Sequence, residues 1–100
     1  MRRIVDKLGT DYAVDAKLVA GTIVYTVHAS DVMVARAVLH PVRGCVTDAL
    51  VYREADRRRG IASALYTLIE QDLGRPLRPS RIRSIAGRAF WARRRQRETA

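Results

Sequence analysis

The sequence predicts a small α+β domain, a mixed and mainly antiparallel sheet packed on helices. Three observations point there. Strand-like segments follow one another from Asp11 to Tyr52 with only short turn clusters between them, the apolar spacing turns helical at Ile61, and 100 residues have room for one core and no second domain.

Residues 1–10 carry little pattern, and Ile4, Val5 and Leu8 suit either a helical turn or a first edge strand. From Asp11 to Ala20 the chain alternates loosely, with Tyr12, Val14, Ala16, Leu18 and Ala20 on one face of a half-buried strand. Gly21 supplies the turn. Thr22-Ile23-Val24-Tyr25-Thr26-Val27 is a β-branched run, and His28-Ala29-Ser30-Asp31 reads as the turn after it. Val32 to Leu39 is the next strand, closed by His40-Pro41, and after Gly44 the segment Cys45 to Tyr52 completes the series. Such short links favour antiparallel neighbours.

Helical spacing begins at Ile61 and continues through Leu65, Leu68, Ile69 and Leu73, and Gly74 closes the helix as a C′ glycine. Arg75-Pro76-Leu77-Arg78-Pro79-Ser80 has too much proline for a central strand, although Leu77 suits a sheet edge. A second helix is expected to start between Ser84 and Gly87 and to run through Phe90 and Trp91 to about Gln96.

Composition narrows the function. Hydrophobic residues make up 48% of the chain and aromatics 6%, so the core is built mainly from Val, Ala, Leu and Ile. Of the formal charge of +9, almost all is C-terminal: residues 1–52 hold six basic and five acidic side chains, residues 53–97 thirteen and four. That end attracts anions, whether a diphosphate, an acidic protein or nucleic acid. Cys45 is the only cysteine, which excludes an intrachain disulfide and fits a reducing, cytoplasmic setting. No run approaches the ~20 apolar residues of a membrane span, so no membrane role is expected.

Between the last strand and the helix lies Arg57-Arg58-Arg59-Gly60-Ile61-Ala62. Arginines at a helix N-terminus sit at the wrong end of the dipole and call for a counterion. Gly60 and Ala62 leave the backbone open, so N–H groups there can approach phosphate oxygens. The opposite reading is a solvated basic loop before an ordinary helix.

This stretch resembles the cofactor-binding motif of the GNAT superfamily of N-acetyltransferases, Gln/Arg-x-x-Gly-x-Gly/Ala at a strand-to-helix turn, with Arg57, Gly60 and Ala62 in its defining positions. Leu77-Arg78-Pro79-Ser80 and Gly87-Arg88-Ala89-Phe90-Trp91 also resemble the tail of short, phage-type members, so the likeness covers roughly residues 20 to 95. It implies a small GNAT-like fold and acetyl-coenzyme A as the cofactor. The diphosphate would be held by the backbone from Arg58 to Ala62 and the first helical turn at Ser63, with charge from Arg57, Arg58 and Arg59. Leu50, Val51 and Tyr52 would pair with the pantetheine arm and polarise the thioester. An amine acceptor, on a protein or a small molecule, would attack that thioester directly.

The catalytic candidates are Asp48 and Tyr66. Asp48 shares a period-2 face with Val46, Leu50 and Tyr52 and is either a general base or a polar residue on the exposed face. Where many relatives carry a tyrosine acid this chain has Phe90-Trp91, which leaves protonation of the departing thiolate to water or Tyr66, or makes it dispensable. Trp91 is either a core anchor or a contact for the pantetheine end. His28 and His40 border turns and read as surface residues, and no His, Cys, Asp or Glu spacing resembles a metal site.

A second departure is structural. Where the family has two helices between its first strands, this chain has only Gly21 and a few neighbours, so the acceptor site would be shallow and a homodimer is expected to complete it, or a large acceptor to dock against it. The competing class is a GNAT-like scaffold that binds nucleic acid, non-specifically, or an acidic protein and catalyses nothing; the arginines at 93–97 with Arg78, Arg81, Arg83 and Arg88 would serve it.

Overall fold

A computed structural model of the chain describes residues 2–52 and 59–78. Arg57, Arg58, Trp91 and the expected second helix lie outside the described residues. Among the described residues five strands precede one helix: β1 (Arg2–Val5), β2 (Asp11–Val19), β3 (Thr22–Ala29), β4 (Val32–His40), β5 (Cys45–Val51) and α1 (Ile61–Leu73). The ambiguous N-terminus is thus the first strand, and it lies at an edge with Arg2 and Arg3 on it, charges that discourage pairing with another chain.

The strands form one sheet in the order β1-β2-β3-β4-β5, and every neighbouring pair is antiparallel. The links within it, residues 6–10, 20–21, 30–31 and 41–44, are all short. Ala20 and Gly21 both have positive φ, 48° and 80°, which a two-residue hairpin needs if its twist is to match the strands it joins.

After α1 the chain comes back to the open edge of β5. Arg78 forms a parallel bridge with Cys45 there, and its N–H donates to the Gly44 carbonyl at 2.7 Å. The architecture is therefore α+β, with one parallel contact on an antiparallel meander. It makes β5, α1 and Arg78 a crossover unit.

The helix packs across β1, β4 and β5 and buries Ile61, Leu65, Tyr66, Leu68 and Ile69. Beneath it lie Ile4, Tyr12, Val14, Tyr25, Val27, Ala35, Ala37, Leu39 and Val46, with Leu77 at the sheet edge. Complete burial of a side chain such as Ile69 contributes about 1.5–3 kcal/mol. In β2 the expected alternation holds for Tyr12 and Val14, but Leu18 is 77% exposed because the β2–β3 hairpin runs past the helix. Period-2 spacing says which face a residue takes and nothing about whether that face is covered there.

Candidate functional site

The site expected from the sequence begins at the carboxyl end of β5, where the strand is irregular. Leu50 pairs with Arg36 and Thr47 with Val38, so Asp48 and Ala49 together oppose Ala37, one residue too many for a regular ladder. This bulge changes which face each side chain takes. Val46 is buried and Val51 packs against the core, whereas Leu50 and Tyr52 are 56% and 41% exposed. The shared face expected for Val46, Leu50 and Tyr52 is therefore corrected: an inserted residue resets the period. The side chain of Asp48 is outside what the structure describes.

The bulge leaves the backbone beyond it in register with β4. Tyr52 donates its N–H to the Val34 carbonyl at 2.9 Å. Since backbone groups alternate in direction along an antiparallel strand, those of Leu50 also face β4, and those of Val51 face the opposite edge. Of the three residues expected to pair with a pantetheine arm, Leu50 and Tyr52 turn their backbone groups to β4, and the Tyr52 N–H is committed to it.

Gly60 caps α1 in the left-handed conformation, φ 85°, where a residue with a Cβ is strained. No side chain caps the helix, and its first turn holds no acidic residue. The helical ladder begins with Ala64 N–H donating to the Gly60 carbonyl at 3.0 Å, so the N–H groups of Ile61 and Ala62 precede it. With the macrodipole, this end of α1 is electrostatically positive. Ile61 itself is buried in the core, so only its backbone bears on the turn.

Arg59 does not point into this turn. Its Nε lies 2.9 Å from Asp6 Oδ2, and its Nη2 donates to Thr10 Oγ1 at 2.8 Å. The counterion expected from a ligand is, for this arginine, a carboxylate of the β1–β2 link. Asp6 accepts further hydrogen bonds from the Leu8 and Thr10 N–H groups and from the Tyr12 hydroxyl. Burial pushes the Asp6 carboxyl up, but the bonds from Thr10, Tyr12 and Leu8, with the Arg59 charge, outweigh it and hold the group below the usual carboxylate range.

Lys7 was not singled out by the sequence. Its N–H donates to the Arg59 carbonyl at 2.7 Å, and its stem lies so close that a Cβ on Gly60 would come within 2.9 Å of Lys7 Cγ. A shallow depression of about 240 Å³ is lined by Val5, Asp6, Lys7, Gly60, Ser63, Ala64 and Thr67. Only the tertiary fold could reveal this, because residues 1–10 have no pattern that ties them to residue 60.

Tyr66 is 5% exposed and lies within the hydrophobic cluster, on the face of α1 turned to the sheet, so its ring is a packing element. His28 and His40 are partly buried on strands, against Thr26 and Thr47 respectively. Among the described residues no group of three or more His, Cys, Asp or Glu could hold a metal ion, and no helix is long and apolar enough to cross a membrane. Compared with protein-family models, with curated proteins and with solved structures, the chain gives no match.

Proposed function

We propose that the chain is a minimal acetyl-coenzyme A-dependent N-acetyltransferase of the GNAT type. The observation that carries this reading is the crossover in which β5, the turn at Gly60 and α1 return the chain to a parallel bridge between Arg78 and Cys45. Where parallel neighbours are joined through a helix, ligands lie beyond the carboxyl end of the strand, next to the helix N-terminus. Here that end is a bulged strand leading into an uncapped, glycine-started helix. The turn also suits the group: a left-handed glycine leaves no Cβ between the N–H groups of Ile61 and Ala62 and a phosphate oxygen.

In this reading those N–H groups hold the diphosphate, and Arg57, Arg58 and Lys7 add charge. The amine nitrogen attacks the thioester carbonyl, the carbon–sulfur bond breaks, and the amine proton leaves to Asp48 or to water. The short link at Ala20–Gly21 leaves the acceptor side open, which favours a protein amine or completion by a second copy.

One observation favours the alternative of a non-catalytic basic scaffold for nucleic acid or an acidic protein: Tyr66, the candidate acid on α1, is buried in the core. Calorimetric titration with acetyl-coenzyme A at near-physiological salt separates the two, because loose ionic contacts are partly screened there. A stoichiometric isotherm supports the transferase. No heat, together with nucleic-acid affinity that falls steeply with salt, leaves the scaffold. In the first case Arg57→Glu with Arg58→Glu weakens binding at least tenfold, about 1.4 kcal/mol, and unchanged affinity removes the cradle.

A further inference from the structure

Asp6 is the one buried charged side chain among the described residues. Its Oδ1 accepts the Leu8 and Thr10 N–H groups, each at 2.9 Å, and its Oδ2 accepts the Tyr12 hydroxyl at 2.8 Å and faces Arg59 Nε at 2.9 Å. Arg59 is gripped twice more, by Thr10 Oγ1 on its Nη2 and by the Lys7 N–H on its carbonyl. The next residue, Gly60, is packed against the Lys7 stem, and the one after begins α1. Stability alone does not require such an arrangement, since an apolar pair of similar volume often does as well as a buried ion pair. What an ion pair in a dense hydrogen-bond network adds is geometry, because each member has few positions that satisfy all its partners.

We infer that Asp6 is a positioning residue for the proposed diphosphate turn: acting through Arg59, it sets the direction in which the N–H groups of Gly60, Ile61 and Ala62 leave the backbone. The identity of the ligand rests on the acetyl-coenzyme A reading. Asp6 itself does not touch that ligand, and its charge is matched by Arg59. Charge alone makes the opposite prediction, since removing a carboxylate from the neighbourhood of a diphosphate tightens binding. The sign of the effect therefore separates positioning from electrostatics.

The experiment compares wild type, Asp6→Asn, Arg59→Gln and the double variant, each titrated with acetyl-coenzyme A and with S-acetylpantetheine, which lacks the diphosphate. Asp6→Asn is expected to weaken acetyl-coenzyme A binding about tenfold and leave S-acetylpantetheine unaffected, and the double variant is expected to be no weaker than the worse single one. Equal or tighter acetyl-coenzyme A binding by folded Asp6→Asn overturns the inference. If wild type binds neither, the transferase reading fails, and amide hydrogen exchange decides the positioning role by itself. The Lys7 and Ala64 amides, bonded to Arg59 and Gly60, should then exchange at least tenfold faster in Asp6→Asn, while the Gly74 amide at the far end of α1 keeps its rate. A uniform change, or none, overturns it. Should Asp6→Asn not fold, Thr10→Val makes the same comparisons, because it removes the hydroxyl that holds Arg59 and leaves the backbone bonds to Asp6 in place.

Discussion

Helix α1 is held to the sheet at both ends by a carboxylate, and in each case the charge on the helix side has the wrong sign for the dipole. At the N-terminus the cation Arg59 is answered by Asp6, which follows β1 directly. At the C-terminal end Asp72 is answered by Arg2, the first residue of β1, and accepts the Tyr25 hydroxyl at 2.8 Å. β1 thus runs beneath the helix with an opposite charge for each end. The two ties differ in depth: the Asp6 side chain is 0% exposed and Arg59 26%, against 28% for Asp72 and 46% for Arg2. The Arg2 hydrogen bond, opposed by burial and aided by Tyr25, holds the Asp72 carboxyl below its usual range. The lesson is that the same pairing of charges is a tighter joint when the carboxylate is dry and held by backbone donors, and a looser tether when water reaches both partners.

The largest expected effect of breaking this comparison comes from the two tyrosines. Tyr12→Phe removes a hydrogen bond to a buried carboxylate and should cost about 1.5–3 kcal/mol, whereas Tyr25→Phe, at the wetter tie, should cost about 0.5–1.5 kcal/mol by urea unfolding. Equal losses would show that depth does not distinguish the ends. Next come the glycines, both left-handed. Gly74→Ala meets nothing within 4 Å and should lose only the conformational cost of about 1–2 kcal/mol. Gly60→Ala must also displace the Lys7 stem and should lose more; a smaller loss than at Gly74 would mean that Lys7 does not press on the turn. Smallest is Arg2→Ala, an exposed pair of about 0.2–1 kcal/mol that should fade at high salt.

The acid limb tests both ends together. Asp6 and Asp72 are held low when folded, so their contribution is present above the unfolded value of about 4 and is lost as pH falls through the lower folded values. Stability should therefore drop below about pH 4, less steeply in Tyr12→Phe, whose Asp6 has lost a stabilising donor. A flat profile to pH 2 would mean that neither carboxylate is held low. Tyr25 behaves oppositely: burial and the bond to Asp72 push its pKa up, so stability should decline as pH rises above about 10, a decline that Tyr25→Phe should lessen.

Much of the fold was legible because the signals are local. The β-branched run at Thr22–Val27 and the 3.6-residue spacing from Ile61 to Leu73, closed by Gly74, each encode an element with little help from elsewhere. The site was less legible. A bulge in β5 defeats alternation beyond Asp48, since one inserted residue moves every later side chain to the other face. Tyr66 was named because Phe90-Trp91 stand where relatives carry a tyrosine, and helical spacing does not say that the sheet lies across from it.

By itself, then, the sequence determined the order and type of the elements from β2 to α1, the breaks at Gly21 and Gly44, and a basic, glycine-bearing turn ahead of the helix, all of which depend on neighbours a few residues apart. The tertiary structure alone decided that Arg59 is answered by Asp6, that Lys7 lies on Gly60, and that Arg78 returns to Cys45. Those pairings join residues more than thirty positions apart. They are set by which faces must leave water together, and no local pattern carries that.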